Sequence, residues 1–291
     1  MPPSLAPGDV VAVAAPSSPF PRDELWPGLA WLRTRYRLRM SPGVLARHGY
    51  LAGSDFRRTE ELVTALLDPE VRAIVVARGG YGALRIIEGL PWQEFVKSPK
   101  WIVGFSDTTA LHAMAWQLGI ASVHGPNVIG LGRDVTASRR ANWLASLERP
   151  MARRVWRGLR ILRQGRAHGP IVGGNLSLLH AMAAAGRLVI PQGAVVAVED
   201  VTESPYRVDR MLTSLRLGGH IARASALVFG GFDRCEVGSD GRTIDEVLQE
   251  RTGDLGVPVL AGAPFGHGAC NEAFVLGSLV RIEDDCLQFY D

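Results

Sequence analysis

Trp101-Ile-Val-Gly-Phe-Ser-Asp-Thr-Thr-Ala-Leu-His112 begins as an apolar run, breaks at Gly-Phe-Ser-Asp and continues with a helical pattern. A short buried strand handing over to a helix through a tight turn is the repeating join of a parallel α/β sheet. Ser106 stands at the hinge. A hydroxyl there is presented at the rim of the sheet, close to backbone N–H groups that can hold a negative oxygen. A hydrolase would put its nucleophile at such a point, while an ordinary protein would use the same Ser as a helix cap, with Asp107 favourable to the helix dipole.

Working outward, the same join recurs on both sides. Upstream, Asp9-Val-Val-Ala-Val-Ala-Ala-Pro16 predicts a buried first strand, and Leu25, Leu29 and Leu32 mark one face of a helix over 24–35. Tyr36 to Met40 alternates with arginines like an edge strand. Gly53-Ser-Asp55 offers a cap for a helix carrying Leu62, Ala65 and Leu66, and Val71 to Ala77 predicts the next strand. That strand runs into Arg78-Gly-Gly-Tyr-Gly-Ala-Leu-Arg85, whose glycines would let backbone N–H groups approach a ligand closely. The turn has neither the dinucleotide spacing Gly-x-Gly-x-x-Gly nor Gly-Lys-Ser/Thr, so it does not support a nucleotide site. Downstream come a helix over 110–118 and a strand over 120–123 ending at His124-Gly-Pro126. The rhythm predicts an α/β fold whose N-terminal part is an open, doubly wound, mainly parallel sheet of the Rossmann or flavodoxin type, with function at the carboxyl ends of its strands.

Between Arg133 and Pro170 the periodicity weakens and ten arginines gather against Asp134 and Glu148. This reads as a connector, with a basic wall facing an acidic ligand as the alternative. The expected organisation is therefore an N-terminal domain over 1–135, a linker over 136–168 and a C-terminal domain over 169–291. In that last part Ile171-Val-Gly-Gly-Asn-Leu-Ser177 predicts a strand turning into a helix, and Ala194-Val-Val-Ala-Val-Glu-Asp-Val201 a buried strand ending in two carboxylates. A helix over 206–217, a strand over 224–229, a helix over 244–251 and a β-rich end over 274–283 follow.

At 291 residues the chain can bury two cores, and its net charge of +3 is too small to argue for nucleic acid. The start has no basic and apolar leader and no run reaches the length of a membrane span, so a cytoplasmic protein without membrane attachment is expected. Cys235, Cys270 and Cys286 are odd in number and lack metal-type spacing, which favours reduced thiols over a disulfide framework or zinc.

Ser106, Glu199 and His267 each fall at the end of a predicted strand. Nucleophilic hydrolysis needs a hydroxyl, a base to take its proton and a carboxylate to orient that base. Their order is that of α/β-hydrolases, although Gly-Phe-Ser-Asp-Thr is not the Gly-x-Ser-x-Gly elbow. From pattern alone Glu203 rivals Glu199, His124 rivals His267 as base, and His267 could equally serve a turn or a metal, for which no companion ligand motif is present.

Taken together, Gly49-Tyr-Leu-Ala-Gly-Ser-Asp55, Asp68-Pro-Glu-Val71, Ala77-Arg-Gly-Gly-Tyr-Gly82, Gly104-Phe-Ser-Asp-Thr-Thr-Ala-Leu111, His124-Gly-Pro126, Gly173-Gly-Asn-Leu-Ser177, Glu199-Asp-Val201, Pro205-Tyr-Arg-Val-Asp-Arg210 and Pro264-Phe-Gly-His-Gly268 with Asn271 closely resemble the LD-carboxypeptidase family of serine peptidases. The resemblance covers nearly the whole chain, with the 133–170 stretch its poorest part. It implies a catalytic Ser106, Glu199 and His267, and a C-terminal swivelling β/α/β domain carrying the acid and the histidine. It further implies an oxyanion hole from the N–H groups of Gly79 or Gly80 and Asp107, and peptide contacts from Arg78, Tyr81 and His124. The implied reaction needs no cofactor or metal: removal of terminal D-alanine from murein tetrapeptides in cell-wall recycling, by a homodimer. A related branch cleaving peptidyl-nucleotides of the microcin C kind, and a non-catalytic binder of cell-wall peptides, are the alternatives.

Overall fold

The computed structural model describes residues 1–133 and 136–290 and divides into two compact units. The first comprises Met1–Pro150 with Glu272–Val275, and the second comprises Met151–Asn271 with the chain from Leu276 onward. In chain order the first unit runs β1 (Val10–Ala14), α1 (Arg22–Arg33), β2 (Arg37–Met40), α2 (Asp55–Leu67), β3 (Val71–Val76), α3 (Trp92–Lys97), β4 (Trp101–Gly104), α4 (Thr109–Gln117), β5 (Ser122–His124), α5 (Val128–Gly132) and α6 (Ala137–Glu148). The chain continues with β6 (Arg154–Trp156), β7 (Arg160–Arg163), β8 (Arg166–Asn175), α7 (Leu176–Ala184), β9 (Ala194–Val201), α8 (Pro205–Leu217), β10 (Ala224–Asp233), α9 (Ile244–Thr252) and β11 (Val259–Ala261). It closes with β12 (Phe274–Leu276), β13 (Leu279–Glu283) and β14 (Cys286–Tyr290).

In the first unit β1 to β5 pair in parallel, in the order β5-β4-β3-β1-β2, and β12 adds itself outside β5. β1, β3 and β4 are Val- and Ile-rich and largely buried on both faces, as a sheet covered by helices on each side requires. On one face Leu25, Leu29 and Leu32 of α1 join Val128 and Leu131 of α5 and Trp143 and Leu147 of α6 over Val11, Val75 and Val103. On the other face α2 packs on β1 and β3 while α4 packs on β4 and β5. The Ser54 hydroxyl caps α2, as the sequence predicts, by accepting the Arg57 N–H at 3.2 Å. This strand order reverses direction between β1 and β3, and sheets of this kind bind ligands outside the carboxyl ends of the strands flanking such a reversal.

The second unit is a mixed eight-stranded sheet, β6-β14-β13-β8-β9-β10-β11-β7. Its centre, β8 to β11, is parallel and is connected by α7, α8 and α9, whereas β13, β14, β6 and β7 run antiparallel to their neighbours. The central β9 is buried from Ala194 to Asp200, so its two terminal carboxylates are buried with it.

The connector read over 136–168 is corrected by these elements. Its first part is α6, in the first unit, and the rest supplies β6, β7 and the start of β8. β6 and β7 are the two edges of the second sheet, and charged edge strands resist pairing with foreign strands, so arginine displaces the apolar alternation that betrays a strand. Several of the arginines also have local partners. Arg160 pairs with Asp245 at 2.5 Å, Arg166 with Glu283 at 2.8 Å, and Arg140 lies over the Trp31 ring. Asp134, and with it the expected boundary at 135, lies outside the described residues. Two strands run further than predicted: β8 carries Gly173-Gly-Asn175 within it, and β10 passes through Gly230-Gly231 to Asp233. Among the described residues no helix is long and apolar enough to cross a membrane.

Candidate active site

In the first unit β4 ends at Gly104, Phe105 is extended, and Ser106 opens a single 3-10 turn leading into α4. Ser106 adopts φ 62°, a left-handed conformation that costs a non-glycine residue of order 1 kcal/mol or more. It caps nothing: a capping residue is extended, and no side-chain cap bond forms at this turn. The strain instead turns the hydroxyl out at the carboxyl end of β4, which is how a nucleophile elbow presents its serine.

The Arg78–Gly82 turn after β3 lies against this hinge. A Cβ placed on Gly79 would stand 2.8 Å from the Ser106 Cβ and 3.0 Å from its Oγ, so only glycine fits beside the serine. Ser18, from the loop after β1, fixes the turn by donating its N–H to the Gly79 carbonyl at 3.3 Å and accepting the Tyr81 N–H on its hydroxyl at 3.1 Å. The Gly80 N–H, between these two anchors, donates to no group of its own unit among the described residues. The Asp107 N–H sits in the first turn of a helix, where N–H groups lack an intrahelical partner.

In the second unit the His267 Nδ1 lies 2.6 Å from the Glu199 Oε2. The carboxylate is wholly buried at the end of β9, and the Nδ1–H donates to it. Gly266 seats the histidine loop against Glu199; a Cβ there would stand 3.3 Å from the Glu199 Cβ. Burial alone would depress the His267 pKa, but the hydrogen bond and charge of Glu199, helped by Asp200 and Asp233, outweigh it and raise the value above that of an ordinary histidine.

The neighbouring carboxylates are committed elsewhere. Asp200 accepts from Asn175 Nδ2 at 2.8 Å and from Ser177 N and Oγ at 3.0 and 2.8 Å, tying β9 to the start of α7. Glu203 meets Ser177 Oγ at 3.4 Å and Arg207 at 3.6 Å. Of the three, Glu199 is the one that holds the histidine.

Of the residues expected at a peptide, Arg78 is exposed, donating to the Pro19 carbonyl at 2.8 Å, and Tyr81 is exposed with its ring beside that of Tyr50. His124 is different. It is wholly buried and stacked on Phe274 at 5.0 Å between ring centroids within the first unit. Sequence reasoning passed over Arg58, which is fully buried behind the Gly79–Gly82 turn.

The chain matches the model of the LD-carboxypeptidase N-terminal domain over residues 11–125 and that of the LD-carboxypeptidase C-terminal domain over residues 168–282. It belongs to the LD-carboxypeptidase family. A relative from Synechocystis is 36% identical over 97% of this chain and 93% of its own length. The murein tetrapeptide carboxypeptidase of Pseudomonas aeruginosa is 31% identical over 96% of this chain and 94% of its own. The crystal structure of muramoyltetrapeptide carboxypeptidase from Oxalobacter formigenes superposes with a TM-score of 0.88 at 27% identity, covering 97% of this chain and 99% of that one. The protein is thus a two-domain α/β carboxypeptidase homologue of the serine peptidase class.

The close approach of Gly79 and Ser106 makes a direct prediction. Gly79→Ala must displace either the turn or the serine, and misplacing a reacting group by about 1 Å costs roughly a hundredfold in rate. Labelling of Ser106 by a fluorophosphonate is expected to slow by about that factor, with the melting temperature little changed. Labelling at the wild-type rate would show that the turn does not confine the serine.

Proposed function

We propose that this protein is a serine L,D-carboxypeptidase that removes the terminal D-alanine from murein tetrapeptides in cell-wall recycling. The observation that carries the reading is the 2.6 Å bond between the His267 Nδ1 and the buried Glu199, which leaves Nε2 as the basic nitrogen of an oriented imidazole. Family membership supplies the bond type, and the murein relative supplies the substrate class.

In this reading Ser106 Oγ attacks the carbonyl on the L-centre of the diamino acid while His267 Nε2 takes its proton. The N–H groups of Gly80, with its neighbour Gly79, and of Asp107 hold the oxyanion, a contribution worth about a hundredfold or more per donor. His267 then returns the proton to the amine of departing D-alanine, and water repeats the cycle on the acyl-serine. Arg78 and Tyr81, exposed on the Gly79 turn, meet the peptide.

The test is release of free D-alanine from disaccharide tetrapeptide, with and without chelator, alongside an aminoacyl-sulfamoyl nucleotide. Chelator-insensitive release from the tetrapeptide is expected. Cleavage of the nucleotide conjugate alone, or loss of activity to chelator, would overturn the reading.

A further inference from the structure

Behind the Gly79–Gly82 turn the first unit buries an arginine and an aspartate that the mechanism above does not use through their side chains. Arg58 of α2 has no exposed surface. Its Nη1 donates to the carbonyl of Pro16, in the loop after β1, and at 2.8 Å to the carbonyl of Gly82, in the turn after β3, while its Nη2 pairs with Asp55. A Cβ on Gly82 would stand 2.6 Å from that same Nη1, so the guanidinium is seated tightly under the turn.

The Asp107 side chain enters the same space from the other side. It too is wholly buried, and its Oδ2 accepts the Ala83 N–H at 2.8 Å. Burial pushes its carboxyl pKa up, against the pull of the Ser17 hydroxyl, the Ala83 and Gly82 N–H groups and the Arg58 charge. Two buried polar side chains therefore tie together the loops that leave β1, β3 and β4, Arg58 through the Pro16 and Gly82 carbonyls and Asp107 through the Ala83 N–H. The oxyanion turn is held at both ends, at Gly79 by the serine it touches and at Gly82–Ala83 by the residue after that serine.

We propose that Asp107 and Arg58 are positioning residues that set the Gly79–Gly80 N–H groups against Ser106, acting through the turn without touching substrate. Asp107 would thereby serve twice, with its N–H toward the oxyanion and its carboxylate fixing the other donor. A carboxyl suits the place because the backbone groups beside it, the Ala83 and Gly82 N–H, donate, whereas an amide would bring an NH₂ that neither can accept. The proposal rests on the serine-hydrolase reading for its effect on turnover, but its geometric part does not.

The test compares Asp107→Asn and Arg58→Lys with wild type, Arg58→Lys keeping the charge while losing the fork that spans Pro16 and Gly82. Three readouts are taken: kcat and KM for D-alanine release, the rate of Ser106 labelling by a fluorophosphonate, and amide hydrogen exchange over residues 79–83. Misplacement of the oxyanion donors is expected to lower kcat and the labelling rate about a hundredfold in Asp107→Asn with KM within about twofold. Exchange should accelerate at 79–83 and not in the second unit. Arg58→Lys should fall in the same direction by a smaller factor, and it carries the test should Asp107→Asn fail to fold, since leaving a buried polar group without its partner is costly. Should wild type release no D-alanine, labelling and exchange still decide the point, so a wrong substrate would not be mistaken for a wrong latch. Folded variants with unchanged labelling and unchanged exchange would overturn the proposal, as would a loss confined to KM.

Discussion

Ser106→Ala will bind muropeptide and release essentially no D-alanine. Removing the nucleophile of a serine hydrolase lowers kcat by about a millionfold, the remainder coming from binding and oxyanion stabilisation. The fold should survive. Alanine inherits the same left-handed backbone without adding bulk. The measurement is D-alanine release at saturating disaccharide tetrapeptide, together with calorimetric binding of the same compound. Retention of a thousandth or more of wild-type kcat would remove Ser106 from the nucleophile's role. Binding with no turnover in wild type as well would instead describe a cell-wall-peptide binder.

The hinge that carries this prediction was legible because three local signals coincide there: an apolar strand, a glycine turn and a helix start. The same holds for Glu199, since β9 reads as a buried run to its last residue. What sequence left open was whether Glu199 or Glu203 faces the histidine, and what occupies Asp200 beside them. Adjacent carboxylates at a strand end point to opposite sides, and Asn175 and Ser177 occupy Asp200 from another strand and helix. Arg58 was illegible for a related reason. In Asp55-Phe-Arg-Arg58 it resembles any solvated helix arginine, and its acceptor at Pro16 lies 42 positions away. β12 was recognisable as β structure but not as a strand of the first sheet, because three residues returning to a distant partner leave no periodic trace. His124 follows from that return, since Phe274 of β12 is the ring that covers it. Edge strands β6 and β7 were hidden by the arginines that keep them solvated.

Glu199→Gln is expected to lower kcat/KM by about 10³- to 10⁴-fold at neutral pH and to move the acidic limb of its pH profile downward. Both effects follow from one bond. With Glu199 ionised, the Nδ1–H is pinned at 2.6 Å and the imidazolium that forms during attack is stabilised. Because the carboxylate raises the His267 pKa, the wild-type limb should lie above the ordinary histidine value of about 6.5, activity being lost as pH falls through it and His267 becomes protonated. Glutamine removes the charge, so burial acts against the imidazolium with only Asp200 and Asp233 opposing, and protonation needs a lower pH. It can also present its NH₂ to Nδ1, which favours the tautomer with the proton on Nε2, the nitrogen that must be bare. The height of the plateau and the position of the limb therefore report separate things, the tautomer and the charge. A variant that keeps the wild-type limb while losing its plateau would show Glu199 orienting the imidazole without holding its charge. One that keeps activity within about tenfold would transfer the acid's role elsewhere, and Glu203→Gln would be the variant to measure next.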